Sequence, residues 1–199
     1  MPVTSGTALN QQWEVCKDAG VRKLVYLSLG SNLGHREANL RAAIERLAAL
    51  GEVAAVSSFY ETEPVELARQ PWFLNCAVAL WTEKMPKQFL AALQGIEKAM
   101  GRQRTQPKGP RVIDLDILLF GNSVVDTAGL TIPHPALHQR RFVLEPLAEI
   151  APEQRHPVFK HTVRELRDAL PAGPAVRKAS PSPRKRTSPP RINADEGKG

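Results

Sequence analysis

Gly109-Pro110-Arg111-Val112-Ile113-Asp114-Leu115-Asp116-Ile117-Leu118-Leu119-Phe120 is the stretch whose reading decides the fold. Ile113, Leu115 and Ile117 alternate with polar residues, the period of a half-buried β-strand. Successive side chains on a strand point to opposite faces, so Asp114 and Asp116 share the face away from the apolar set. Two carboxylates that close repel each other unless a cation lies between them. Hard cations such as Mg²⁺ take oxygen ligands of this kind, often with substrate phosphates completing the shell. An isolated D-x-D is more often a pair of solvated surface charges. Here it follows Arg111 and, a little upstream, Arg102 and Arg104. Carboxylates beside guanidinium groups suit a metal–polyphosphate site.

Working outward, the segments on either side read as alternating elements. Lys23–Leu29 is a first strand with Val25, Leu27 and Leu29 on one face, and Gly30-Ser31-Asn32 reads as the turn that leaves it. Leu40, Ile44 and Leu47 recur at helical spacing until Gly51. The strand–glycine–helix order lacks both the dinucleotide and the Walker patterns, so it carries no nucleotide argument. Val53–Tyr60 is a second strand. Trp72–Trp81 is a third, with Leu74, Cys76, Val78 and Leu80 on its apolar face and Phe73, Asn75, Ala77 and Ala79 on the other. An aromatic and a carboxamide above small residues make a floor for a flat, hydrogen-bonding ligand. Pro86 opens a second helix whose stripe is Phe89, Leu93, Ile96 and Met100, and Gly101 ends it. Gln94 and Glu97 flank that stripe, and spacing alone reads them as solvated. After the aspartate strand the chain is irregular around Ile132-Pro133-His134-Pro135. Two helices follow, one through Val143, Leu144, Leu147 and Ile150, the other over Val163–Leu170.

Strand, helix, strand, strand, helix, strand is the split β-α-β order of the α+β ferredoxin-like fold, with a largely antiparallel sheet and both helices on one face. The other face then carries Phe73, Asn75, Asp114 and Asp116 together, and the helices after the fourth strand are additions to this plan.

At 199 residues the chain has room for one domain with a substantial core. Residues 1–22 read as a loose extension, 23–170 as the domain and 171–199 as a disordered tail. That tail holds seven basic residues against Asp195 and Glu196, so it carries +5 of the net charge of +7. Being rich in Pro and Ser, it offers little apolar surface to bury. With a nearly balanced body, a nucleic-acid binder or a D-x-D nuclease is disfavoured. A ferredoxin-like domain that binds a small molecule without chemistry is the other competing class. Cys16 and Cys76 lack metal-ligand spacing and fit a reducing cytosol. No apolar run is long enough to span a bilayer. The expectation is a cytoplasmic monomer.

Five segments together resemble 6-hydroxymethyl-7,8-dihydropterin pyrophosphokinase of folate biosynthesis: L-S-L-G-S-N-L-G (27–34), S-S-F-Y-E-T-E-P (57–64), Q-P-W-F-L-N (70–75), G-P-R-V-I-D-L-D-I-L-L-F-G (109–121) and I-P-H-P (132–135). The resemblance runs from about Lys23 to Leu170 in matching order. It implies a ferredoxin-like fold and transfer of pyrophosphate from ATP to the pterin hydroxymethyl, with release of AMP. It implies that Asp114 and Asp116 hold two Mg²⁺ ions against the triphosphate. Phe73 and Phe142 would sandwich the pterin, Asn75 would bond its edge, and the loop near Thr62 and Val65 would add contacts. Arg102 and Arg104 would lie on a loop that closes over the phosphates. Gln94, Glu97, Arg111, Ile117, Thr131, His134 and Arg140 would line the ATP side, with Arg104 reaching it too. The chain departs from the family pattern at Lys108, Gly129 and Pro135, positions that bear on the grip on ATP.

Overall fold

The computed structural model describes residues 22–64, 70–102 and 109–180. Its sheet is built on β1 (Lys23–Ser31), which lies between β4 (Phe73–Thr82) and β5 (Asp114–Phe120) and is antiparallel to both. Beyond β4 lie β2 (Glu52–Val56) and β3 (Tyr60–Thr62), each paired antiparallel to a different part of it. Helices α1 (Arg36–Leu47) and α2 (Pro86–Ala99) pack on one face, α1 against β1 and β4 and α2 against β5. That is the ferredoxin-like arrangement expected from the element order.

The strand parity of the sequence decides what each face buries. Val25, Leu27 and Leu29 of β1 meet Cys76, Val78 and Leu80 of β4, Leu115 and Ile117 of β5, and the helix stripes at Leu40, Leu47, Phe89 and Leu93. Cys76 lies in this core, where burial pushes its thiol pKa up to about 12 and leaves it inert. The opposite face is not simply open. Helix α3 (Arg141–Ile150) lies across β4, and α4 (Val163–Asp168) packs on α3. Tyr26, Ala77, Ala79, Leu118, Leu119, Leu144 and Leu147 form a second core there. The small side chains of Ala77 and Ala79 let α3 approach the sheet closely. An irregularity where Tyr26 pairs with Leu119 and Leu27 with Ile117 turns both Leu118 and Leu119 toward α3, and restores Phe120 to the first core. The part of this face left uncovered holds Ser28, Gly30, Phe73, Asn75, Asp114 and Asp116.

Several boundaries differ from the sequence reading. Gly30 and Ser31 do not form a turn but extend β1, because they pair with Asn75 and Leu74. The second strand is two strands, since Ser57 breaks the run: its N–H donates to the Ala77 carbonyl at 2.9 Å, while its hydroxyl accepts the Ala77 N–H at 2.9 Å. Residues before the cis Ile132–Pro133 bond form a hairpin of β6 (Val125–Thr127) and β7 (Leu130–Ile132) rather than irregular chain. Folded structure also continues past Leu170. β8 (Val176–Lys178) adds a strand to the outer edge of β3, so the expected boundary of the tail at residue 171 is too early. The low apolar content there leaves no sequence signal for this strand, because backbone pairing needs no packable face.

Candidate active site

The uncovered part of the sheet forms the floor of an open cavity. Its rows follow the strand register. Asp114 of β5, Gly30 of β1 and Asn75 of β4 lie side by side, and Asp116, Ser28 and Ala77 form the next row. Phe73 rises from β4, and Phe142 and Arg140 come from the start of α3. Thr62, Glu63, Pro64 and Gln70 complete one wall.

Asn75 is buried, and its Nδ2 donates to Thr62 Oγ1 at 2.7 Å. This fixes the amide orientation and leaves Oδ1 as the atom available to a ligand donor. The glycine beside it is a matter of space: a Cβ at Gly30 would come within 2.6 Å of Asn75 Oδ1. Both aromatic walls carry a guanidinium, Arg111 over Phe73 at 5.4 Å and Arg140 over Phe142 at 5.6 Å.

Charge gathers along β5. Asp114 accepts from Arg102 Nη1 at 2.6 Å and from Arg111 Nη1 at 3.0 Å. Arg102 also pairs with Glu97 of α2, whose carboxylate accepts the Leu115 N–H at 2.8 Å. Glu97 is therefore buried beneath the carboxylate strand, not solvated as spacing implied, and burial raises its pKa against the pull of that N–H and of Arg102. The Asp116 carboxylate makes no hydrogen bond or ion pair among the described residues. Burial first and the neighbouring Asp114 second raise its pKa to about 6, with Arg140 and Arg111 opposing. Arg111 is held by Asn32: its N–H donates to Asn32 Oδ1 at 2.7 Å, and its carbonyl accepts the Asn32 N–H at 3.1 Å. Its own Nε is buried without a partner.

Of the residues named from sequence, Thr62, Phe73, Asn75, Arg111, Asp114, Asp116, Arg140 and Phe142 meet in this cavity. Arg102 and Glu97 attach to its floor through Asp114 and Leu115. Gln94 is exposed on α2, and Thr131 is exposed on β7. His134 docks beside β5 by donating its N–H to the Leu118 carbonyl at 3.0 Å, while its Nδ1 accepts the Ala136 N–H at 3.1 Å. Burial and then Arg140 lower its pKa, which keeps the ring neutral at physiological pH. Ile117, which the resemblance put on the ATP side, has its side chain in the helix-side core, as strand parity implied. Val65 and Arg104 lie outside the described residues. Ser28, Gly30, Gln70 and Asn32 were missed. For Ser28 and Gly30 a signal existed, because they alternate with Leu27 and Leu29. Asn32 is joined to Arg111 only by the tertiary fold.

A family model described as 7,8-dihydro-6-hydroxymethylpterin-pyrophosphokinase matches residues 26–152. The chain is 44% identical over 149 residues to the 2-amino-4-hydroxy-6-hydroxymethyldihydropteridine pyrophosphokinase of Pseudomonas aeruginosa, covering 74% of this chain and 91% of that one. It is 46% identical over 132 residues to the protein of the same name from Bacillus subtilis, covering 65% and 79%. Similarity to the folic acid synthesis protein fol1 of Schizosaccharomyces pombe is 42% over 152 residues, 75% of this chain but only 21% of that protein. The chain thus spans about a fifth of the length of such larger relatives. Among solved structures, a Plasmodium falciparum HPPK-DHPS superimposes with a TM-score of 0.62 at 19% identity, over 75% of this chain and 44% of that one. At that identity the likeness concerns the fold.

Proposed function

Because the chain belongs to the 7,8-dihydro-6-hydroxymethylpterin-pyrophosphokinase family, we propose that it transfers a pyrophosphoryl group from ATP to 6-hydroxymethyl-7,8-dihydropterin. The products are the pterin diphosphate and AMP. The observation that carries this reading is the meeting in one cavity of a flat-ligand subsite and a carboxylate–guanidinium subsite, one strand apart.

The ring lies between Phe73 and Phe142, whose stacking supplies affinity. Asn75 Oδ1 accepts from a ring or amino N–H, with Thr62 holding the amide in that orientation. Further contacts come from the loop that includes Val65. On the other side, the donor set suits Mg²⁺: two hard carboxylates share a strand face, and Asp116 is desolvated beside Asp114 with no ion pair among the described residues. Asp114 and Asp116 would hold two such ions, which when bound supply charge neutralisation across the phosphates. Arg111, Arg140 and His134 line the triphosphate side, with Gln94, Glu97, Thr131 and the Ile117 backbone toward the nucleoside.

Arg102 begins on Asp114 and Glu97 and exchanges Asp114 for a phosphate oxygen as ATP enters; Arg104 joins it from the same loop. The guanidinium groups then stabilise charge on the transferring group while the pterin hydroxyl is held in line. In a loose transition state the attacking alcohol carries little developing charge, so the site needs no strong base. Catalysis rests on positioning and electrostatics, aided by exclusion of water. A cytoplasmic monomer acting on two small molecules is the setting we propose.

The decisive assay incubates the protein with ATP, Mg²⁺ and the hydroxymethyl pterin and resolves the nucleotide products. AMP in equal amount to pterin diphosphate is expected. Accumulation of ADP, or no nucleotide turnover with intact pterin, would overturn the reading.

A further inference from the structure

Residues 171–180 carry no motif and lie beyond the residues that the family model matches, yet they tie together two walls of the cavity. On one side they grip β3. The Glu63 N–H donates to the Ala175 carbonyl at 3.1 Å and the Ala179 N–H to the Phe59 carbonyl at 2.8 Å, with Thr62 in register with Val176. On the other side they grip α3. Arg141 Nη2 donates to the Pro171 carbonyl at 3.4 Å, and Lys178 Nζ reaches Glu149 at 3.3 Å. Glu149 also accepts from the Tyr60 hydroxyl at 2.7 Å and the Ser58 hydroxyl at 2.8 Å, which closes the loop back to β3.

The two elements so joined carry the pterin contacts. β3 presents Thr62, which orients Asn75, and α3 opens with Phe142. β3 is only three residues long and pairs with β4 through those three alone. So short a strand at a sheet edge holds its position weakly, and a second neighbour doubles its backbone bonding. Behind Phe142 lies a second cavity, whose lining includes Arg141, Leu170, Pro171, Pro174 and Val176. The back of the Phe142 wall is therefore bounded by this segment as well as by the second core.

We propose that residues 171–179 are a positioning strap for the pterin subsite: they hold Thr62, and through it Asn75, at a fixed distance from Phe142. The inference rests on the pyrophosphokinase reading of the cavity. The strap touches neither Asp114 nor Asp116, so its loss acts on the pterin and spares ATP. This selectivity separates positioning from a general contribution to folding.

The test compares the full chain, a chain ending at Ser180, a chain ending at Leu170, and Arg177→Pro in the full chain. Arg177 lies midway between the two observed bonds, so by ladder alternation its N–H faces β3, and Pro removes it while leaving α4 intact. Calorimetry measures binding of a non-hydrolysable ATP analogue with Mg²⁺, and then of the hydroxymethyl pterin to that complex. Hydrogen exchange follows the amides of Tyr60–Glu63. The chain ending at Ser180 is expected to match the full chain. The chain ending at Leu170 and Arg177→Pro are expected to bind pterin about tenfold more weakly, to keep the affinity for the ATP analogue within about twofold, and to exchange the β3 amides faster. Should the shorter chain fail to fold, Arg177→Pro decides alone. Pterin affinity unchanged in Arg177→Pro, or ATP affinity falling as far as pterin affinity, overturns the strap while leaving the pyrophosphokinase reading intact. Absence of pterin binding by the full chain overturns both.

Discussion

Asp116 is a buried carboxylate beside a second one, and two consequences follow from its raised pKa of about 6. In the metal-free protein the folded state holds this proton more tightly than the unfolded state does. Stability contributed by the group is therefore present at low pH and declines as pH rises through the window from the ordinary Asp value to about 6. Metal binding at the proposed site has the opposite preference, because the ligand would be the carboxylate. Affinity for Mg²⁺ with an ATP analogue is expected to weaken as pH falls below about 6, approaching tenfold per pH unit, with proton release on binding. Titration calorimetry in buffers of different ionisation enthalpy checks both signs, and a flat affinity between about pH 5 and 7.5 would remove Asp116 from the ligand set. Asp114→Asn and Asp116→Asn are each expected to lower turnover by about 10²-fold or more without unfolding the protein. Single-turnover rates and thermal melts measured together decide this. Thr62→Val makes a different change. It leaves the buried Asn75 Nδ2 without its acceptor, so a loss of about 1–3 kcal/mol divided between stability and pterin affinity is expected, with the affinity for ATP unchanged.

At the scale of elements, β1 is what brings the two subsites together. Its outward residues are Ser28 and Gly30, and small side chains there leave the floor flat between Asp114 and Asn75. Gly30→Ala puts a methyl 2.6 Å from Asn75 Oδ1, the atom proposed to accept from the pterin. The expected outcome is a higher pterin KM with little change in the ATP KM, measured by steady-state kinetics with each substrate varied. Equal effects on the two substrates would mean that the methyl distorts β1 rather than the pterin floor. Helix α2 contributes from beneath: Glu97 reaches the Leu115 N–H and retains Arg102 next to Asp114. A charged residue on a helix stripe thus serves as the anchor for a loop arginine.

For the whole molecule, the sheet carries a core on each face, and the candidate active cavity is what remains uncovered between the start of α3 and the strand ends. The second core therefore has a functional side. Leu144 is fully buried in the first turn of the helix that presents Phe142. Leu144→Ala is expected to destabilise the protein by about 2–5 kcal/mol through the cavity it leaves. It should also weaken pterin binding, because α3 loses its seat on Ala77 and Ala79. Urea unfolding and pterin titration of the same variant check the pair of effects. Weakened stability with unaltered pterin affinity would show that Phe142 is held from elsewhere.

What the sequence determined by itself were the properties that repeat with the period of an element. Alternation through Ile113, Leu115 and Ile117 placed Asp114 and Asp116 on one face, and the same period placed Phe73 with Asn75. The order of strands and helices then implied the ferredoxin-like sheet. Local signals reach no further than neighbours along the chain. Only the tertiary structure decided that Ser57 breaks a strand, because its partner Ala77 is distant in sequence. Only it brought Glu97 under Leu115 and joined Asn32 to Arg111. β8 is the clearest case. Its residues lack an apolar pattern, and they are held by backbone pairing to β3 and by charges on Glu149, neither of which leaves a period in the sequence.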